Sequence, residues 1–202
     1  VTFVPLSGTI TAVTIRDSTA LELQALTTLE GLTVTAGGAV TQSGTLVIPG
    51  TTTISAVNGS SVKQDVTLGD SSNNFGTLAI TGANVEIIDT NAIILGAATV
   101  SGTYSVTADG AITNSGTQEI TGVTTLVAGS GNDITLNTST NNFAAAVVIT
   151  SGRNVTITDE DTIDLGAATV SGTYGITAGG PVTDSGTQEI AGITTISASG
   201  QN

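Results

Sequence analysis

Hydrophobic and polar positions alternate along this chain in short bursts. Leu21-Glu22-Leu23, Ile93-Ile94-Leu95 and Ile163-Asp164-Leu165 keep aliphatics at the outer positions while the middle one varies freely. Val13-Thr14-Ile15, Val85-Glu86-Ile87 and Val155-Thr156-Ile157 follow the same rule. An alternation of period two marks a half-buried strand, so the aliphatics face a core and the variable residue faces water. In the stretch from Phe75 the predicted strands are TLAI, VEII, AIIL, YSVT, AIT, TQEI, TTLV and ITLN, each followed by Gly, Asn, Asp or another turn former. The best helical candidate, LELQALTTLEGL, lines up with a Gly- and Thr-rich stretch in another part of the chain that no helix tolerates well.

The bursts recur. LGAATVSGTY stands at 95–104 and again at 165–174, and SGTQEI at 115–120 and 185–190. A fainter copy, GGAVTQSGTLVIPGTTTISA, begins at Gly37. The three phenylalanines, Phe3, Phe75 and Phe143, fall at one equivalent position. The repeats therefore run over 3–74, 75–142 and 143–202, the third partial, within a single segment 1–202. Strands of three to five residues at this pitch predict an all-β fold, a right-handed parallel β-helix. About nine coils of roughly 23 residues are expected, three to each repeat of about 70. On that count Phe3, Phe75 and Phe143 stack up the core about 14 Å apart. The length differences fall at 58–64 and between Phe143 and Asp159, where surface loops are expected. The pattern starts and stops without an atypical capping repeat, as a window of a longer array would.

Composition narrows the function. Thr fills about one position in five, and Cys, Met, Trp and His are absent. There are 16 acidic residues and 3 basic ones, Arg16, Lys63 and Arg153, for a net charge of −13. Such a surface repels nucleic acid and anionic membranes and keeps an edge-rich β protein dispersed. The longest apolar run is far short of a membrane span. Without His or Cys, acid–base and nucleophilic catalysis are poorly supplied, so no catalytic residue is expected.

Three groups of side chains merit attention. Asp17, Asp89 and Asp159 occupy one repeat position just after an inward-facing strand, where an Asx turn closes a corner. Asp159, Glu160 and Asp161, with Asp164, form the densest acidic patch; they are the weak candidates for Ca²⁺, and a solvated patch is the plainer reading. GSGNDITLN, from Gly129, faintly matches a calcium-binding nonapeptide, but only once. No cofactor is expected. Tyr104 and Tyr174 share a repeat position with Leu32, which places them in the core or at a corner.

AGGAVTQSGTLVIPGTTTISA, GNDITLNTSTNNF and NVTITDEDTIDLGAATVSGTY resemble the repeats of large bacterial exoproteins of the filamentous haemagglutinin kind and of autotransporter passengers. The resemblance implies a β-helix shaft, secreted or displayed on the bacterial cell surface, serving adhesion or biofilm formation. Its expected partners are neighbouring solenoid coils or copies, head to tail, and a host or matrix surface. The alternatives are a polysaccharide-active enzyme using a groove at 58–64, and a regular array binding ice or glycan through Thr-x-Thr pairs such as Thr33/Thr35 and Thr156/Thr158.

Overall fold

A computed structural model describes residues 10–199; Phe3 lies outside the described residues. Among those residues the chain forms 23 strands and no helix. The helical candidate is instead three strands, Leu21–Leu23, Leu26–Thr27 and Gly31–Ala36. Every strand pairing is parallel, and the strands build a thirteen-stranded and a ten-stranded sheet. Parallel neighbours need a crossover, and here each crossover is simply a pass through the other sheet. The result is the expected β-solenoid.

The alternation rule holds. Leu21, Leu23, Ile93, Leu95, Ile163 and Leu165 are buried, while Glu22 and Ile94 between them are exposed. Phe75, Phe143, Tyr104 and Tyr174 are the largest fully buried side chains.

The coil is shorter than expected, and the repeat contains a different number of coils. Register pairs along the larger sheet are Val13↔Leu32, Leu32↔Thr52, Thr52↔Leu78, Leu78↔Leu95, Leu95↔Asn114, Ile112↔Ile134, Ile134↔Val155, Val155↔Tyr174 and Tyr174↔Thr194. The steps are shortest between Leu78 and Leu95 and longest between Thr52 and Leu78. They average roughly 20 residues, and nine of them give a rise of about 43 Å. The longest step contains the loop at 58–64, where Val57 and Lys63 form an antiparallel bridge and Ser61 takes a φ of 62°. The extra residues after Phe143 are absorbed as register shifts in Val147–Gly152.

One repeat is therefore three and a half coils. Equivalent strands change sheets from one repeat to the next. Ala12–Asp17 lies in the thirteen-stranded sheet, its counterpart Val85–Asp89 in the ten-stranded sheet, and Val155–Asp159 in the thirteen-stranded sheet again. Leu21–Leu23, Ile93–Val100 and Ile163–Val170 alternate in the opposite phase. The expected phenylalanine column does not form. Phe75 follows a strand of the ten-stranded sheet, Val66–Leu68, and Phe143 follows one of the thirteen-stranded sheet, Ile134–Leu136, so they sit at opposite corners of the cross-section. Each ring is still fully buried at its own corner of the core.

Candidate functional site

The side chains that carry most of the polar bonding are at the corners. Each repeat-two and repeat-three corner pairs an Asn with an Asp. Asp89 ends Val85–Asp89 and is 1% exposed; its Oδ1 accepts the Asn91 N–H at 2.9 Å and its Oδ2 the Phe75 N–H at 2.7 Å. Asp159 repeats this, with Asp161 N–H at 2.9 Å and Phe143 N–H at 2.7 Å, at 2% exposure. Asp17 makes the same Asx turn to Thr19, at 2.8 Å, but in a more open setting. At Asp89 and Asp159 the second oxygen adds what a local turn lacks, a bond to the backbone one coil below.

Asn73 and Asn141 complete these corners, fully buried. Asn73 Oδ1 accepts from Gln42 Nε2 at 2.9 Å and Leu46 N at 3.0 Å, while its Nδ2 donates to the Gln42 Oε1 at 2.9 Å and to the Leu68 and Ile88 carbonyls. Asn141 Oδ1 accepts from Asn114 Nδ2 at 2.9 Å and Gln118 N at 3.0 Å, and its Nδ2 donates to Leu136 and Thr158 carbonyls. Each Asn thus ties three successive coils.

Two polar ladders run up opposite corners. Asp65 Oδ1 accepts from Asn84 N and Nδ2, and Asn84 Oδ1 accepts from Thr103 N and Oγ1. Asp133, Asn154 and Thr173 repeat every one of these contacts. Asp133, read from sequence as part of a faint calcium motif, is also held by Arg153 through two 2.8 Å contacts. That guanidinium, with the Asn154 hydrogen bonds, keeps its carboxyl down at about 2. Sequence reading missed these ladders, although the Asp, Asn and Thr recur at matching repeat positions. The long identical strings have a related cause: Gln118 and Gln188 both donate to a glycine carbonyl one coil below, Gly96 and Gly166, at 2.7 Å.

The acidic patch is split by this arrangement. Asp159 turns inward and spends both oxygens on backbone N–H groups, Glu160 Oε1 accepts from Asn142 Nδ2 at 3.2 Å, and Asp161 is exposed. Among the described residues no group of three or more His, Cys, Asp or Glu is placed to hold a metal ion. The loop at 58–64 borders a shallow depression lined by Lys63, Thr99, Glu119, Thr121 and Asn142. Tyr104 and Tyr174 are core residues whose hydroxyls have no partner; burial pushes the Tyr174 phenol up to about 12.

Matches to one family of repeats cover residues 10–81, 82–150 and 152–202, a family described as repeats of unknown function (DUF5649). The chain belongs to this family. The DUF5649 units have the period of the phenylalanine-based repeats, shifted by seven to nine residues. No curated protein and no solved structure matches the chain.

The half-coil offset decides what the DUF5649 surface can present. Thr33 and Thr35 stand beside Thr53 and Ser55 on the larger sheet, but the coil before supplies Arg16 and the coil after Ala79. The next copy of this stretch, Ser105 and Thr107, lies on the other sheet. Near the C-terminal end Thr156/Thr158 is followed by Gly175/Thr177. Among the described residues, hydroxyl pairs therefore line one face for at most two successive coils, Thr33/Thr35 and Thr53/Ser55.

The corners also set a pH dependence. Burial raises both Asp89 and Asp159, the latter to about 6, because the charged carboxylate loses water; the neighbouring Asp161 adds repulsion. Between about pH 4 and about pH 6 the folded chain then binds more protons than the unfolded one. The stabilisation is complete below about pH 4 and is lost as pH rises through about 6. Asp133 works the other way, but only as pH falls below about 4. The urea midpoint is expected to be higher at about pH 5 than at about pH 7, and Asp159→Asn should flatten that slope. A midpoint that rises over that interval would contradict the assignment.

Proposed function

We propose that this segment is a structural shaft in a large secreted or surface-displayed bacterial protein, a stiff rod used for adhesion or biofilm. Its reading as an exoprotein of the filamentous haemagglutinin kind rests on the sequence resemblance. The observation that carries the proposal is the unbroken pairing of both sheets from Ala12 to Ala198, with side-chain ladders reinforcing the corners. Backbone hydrogen bonds run parallel to the axis in such a stack, so bending or stretching it strains many bonds together. Outward Thr, Asp and Glu keep the rod dispersed. The rod stacks end to end with neighbouring solenoid coils or copies, and its sides meet a host or matrix surface.

Antibody raised against the folded chain should label intact source cells or their secreted filaments. Labelling only after lysis would overturn the surface placement. On a polysaccharide panel no hydrolase or lyase turnover is expected. Turnover that disappears with Asp159→Ala or Arg153→Ala would favour an enzyme instead.

A further inference from the structure

The loop at 58–64 holds the one Asn-Gly pair of the sequence, Asn58–Gly59. It leaves the larger sheet after Leu46–Ala56 and returns through the Val57–Lys63 bridge, with residues 59–62 exposed. The loop closes on the Asn58 side chain. Its Oδ1 accepts the Ser60 N–H at 3.0 Å and the Val62 N–H at 2.9 Å. The Ser61 N–H donates to the Asn58 carbonyl and the Asn58 N–H to the Val62 carbonyl, which fixes the main chain around it. Ser61, between the two donors, takes the left-handed φ of 62° that lets neighbouring amides converge on one acceptor. Two groups are left free. Among the described residues neither Asn58 Nδ2 nor the Gly59 N–H has a hydrogen-bond partner. At Asn84 and Asn154 both are engaged: Nδ2 donates to Asp65 or Asp133, and the next N–H, of Val85 or Val155, donates to the carbonyl of Thr103 or Thr173.

We propose that Asn58 is a self-modification site, converted by its own loop and water to aspartate or isoaspartate. The Gly59 nitrogen gives its proton to solvent base and attacks Asn58 Cγ. A bond forms between them, and the carbonyl π electrons of the carboxamide move onto Oδ1. The Ser60 and Val62 N–H groups already sit on that oxygen, and donors fixed where negative charge develops stabilise the transition state. The bond from Cγ to Nδ2 then breaks as the oxygen's electron pair returns. The nitrogen takes a proton from water and leaves as ammonia, and a succinimide ring remains. Water opens that ring at either carbonyl. Attack at Cγ gives aspartate; attack at the Asn58 main-chain carbonyl carbon gives isoaspartate, in which the chain runs through the former side chain. Gly59 suits the step because it has no side chain to crowd the closing ring. Aspartate at 58 keeps an acceptor for both N–H groups, whereas isoaspartate lengthens the main chain by one carbon and undoes the cap. Either product adds a negative charge to the −13 of the chain, in the loop that carries Lys63. The site stands independently of the shaft reading.

The test incubates three samples in one buffer: the whole chain, its Gly59→Ala variant, and a synthetic peptide of residues 54–66. Circular dichroism confirms that both chains are folded and the peptide is not. Peptide mass spectrometry follows the exchange of amide for acid at each Asn, and ammonia release is measured alongside. The folded chain should convert Asn58 faster than the peptide, by about threefold or more, because the peptide lacks the two fixed donors. Its rate should climb from about pH 6 to about pH 8.5, since the attacking nitrogen must lose a proton. A Cβ at position 59 meets nothing within 4 Å, so Gly59→Ala should fold normally. It should slow conversion by about tenfold or more, because the added methyl hinders the attack geometry. Asn137, exposed but followed by Thr138, should stay intact over the same period. Conversion in the folded chain no faster than in the peptide would overturn the proposal, because the loop would then give Asn58 no help. Equal rates for the native chain and Gly59→Ala would overturn it as well. So would conversion of Asn137 as fast as Asn58.

Discussion

Asn141→Ala is expected to lower stability by about 4 kcal/mol, read as a fall in the urea midpoint. The side chain is fully buried and accepts from Asn114 Nδ2 and Gln118 N while donating to two carbonyls. Truncation removes all four contacts, leaves the Gln118 N–H without its acceptor, and takes the amide donor away from the Leu136 and Thr158 carbonyls. Each orphaned group costs about 1–3 kcal/mol, partly relieved where water can enter. Asn73→Ala should behave alike, since Asn73 holds Gln42, Leu46, Leu68 and Ile88 in the same way. Asn137→Ala, at an exposed position in the loop that follows Ile134–Leu136, should change stability by less than about 0.5 kcal/mol. Similar effects at 137 and 141 would remove the corner from the account.

Phe143→Ala is expected to cost a comparable amount, about 3–5 kcal/mol, for a different reason. The ring is 1% exposed beside Ile120, and its loss opens a cavity that the two flanking sheets cannot close without breaking register. Phe143→Leu should cost clearly less, because most of the volume is kept. Phe75→Ala should match Phe143→Ala, since the two rings occupy equivalent corners on opposite sides of the core. Exchange measurements should place the loss locally, in the coils that touch each ring, because a solenoid is held by neighbour contacts. A uniform loss across every coil would argue against that picture.

Much of the fold was legible in the chain. The triplets around Glu22, Ile94 and Asp164 announced inside and outside because only the middle residue was free to vary. Asp89 and Asp159 announced turns because Asx turns have a local cause. The half-coil offset was hidden, because aligned copies report a period in residues and say nothing of angle about the axis. The clue lay within one repeat. Val85, Tyr104 and Thr124 are successive register neighbours, and a coil of that spacing does not divide the repeat a whole number of times. The ladders were hidden for another reason. Asp65, Asn84 and Thr103 each look like ordinary turn residues, and only stacking brings them together.

The central claim, that successive repeats face opposite ways, is tested most directly by a distance between Glu86 and Thr156. Both are outward-facing, they hold the same repeat position, and the chain has no native cysteine to confuse labelling. With a cysteine and a spin label at each, electron–electron dipolar spectroscopy should give about 30 Å. That distance combines about 17 Å of rise over three and a half coils, about 10 Å across the core, and labels pointing apart. A distance of about 14 Å, the rise of three whole coils, would put the two labels on one face and would contradict the account.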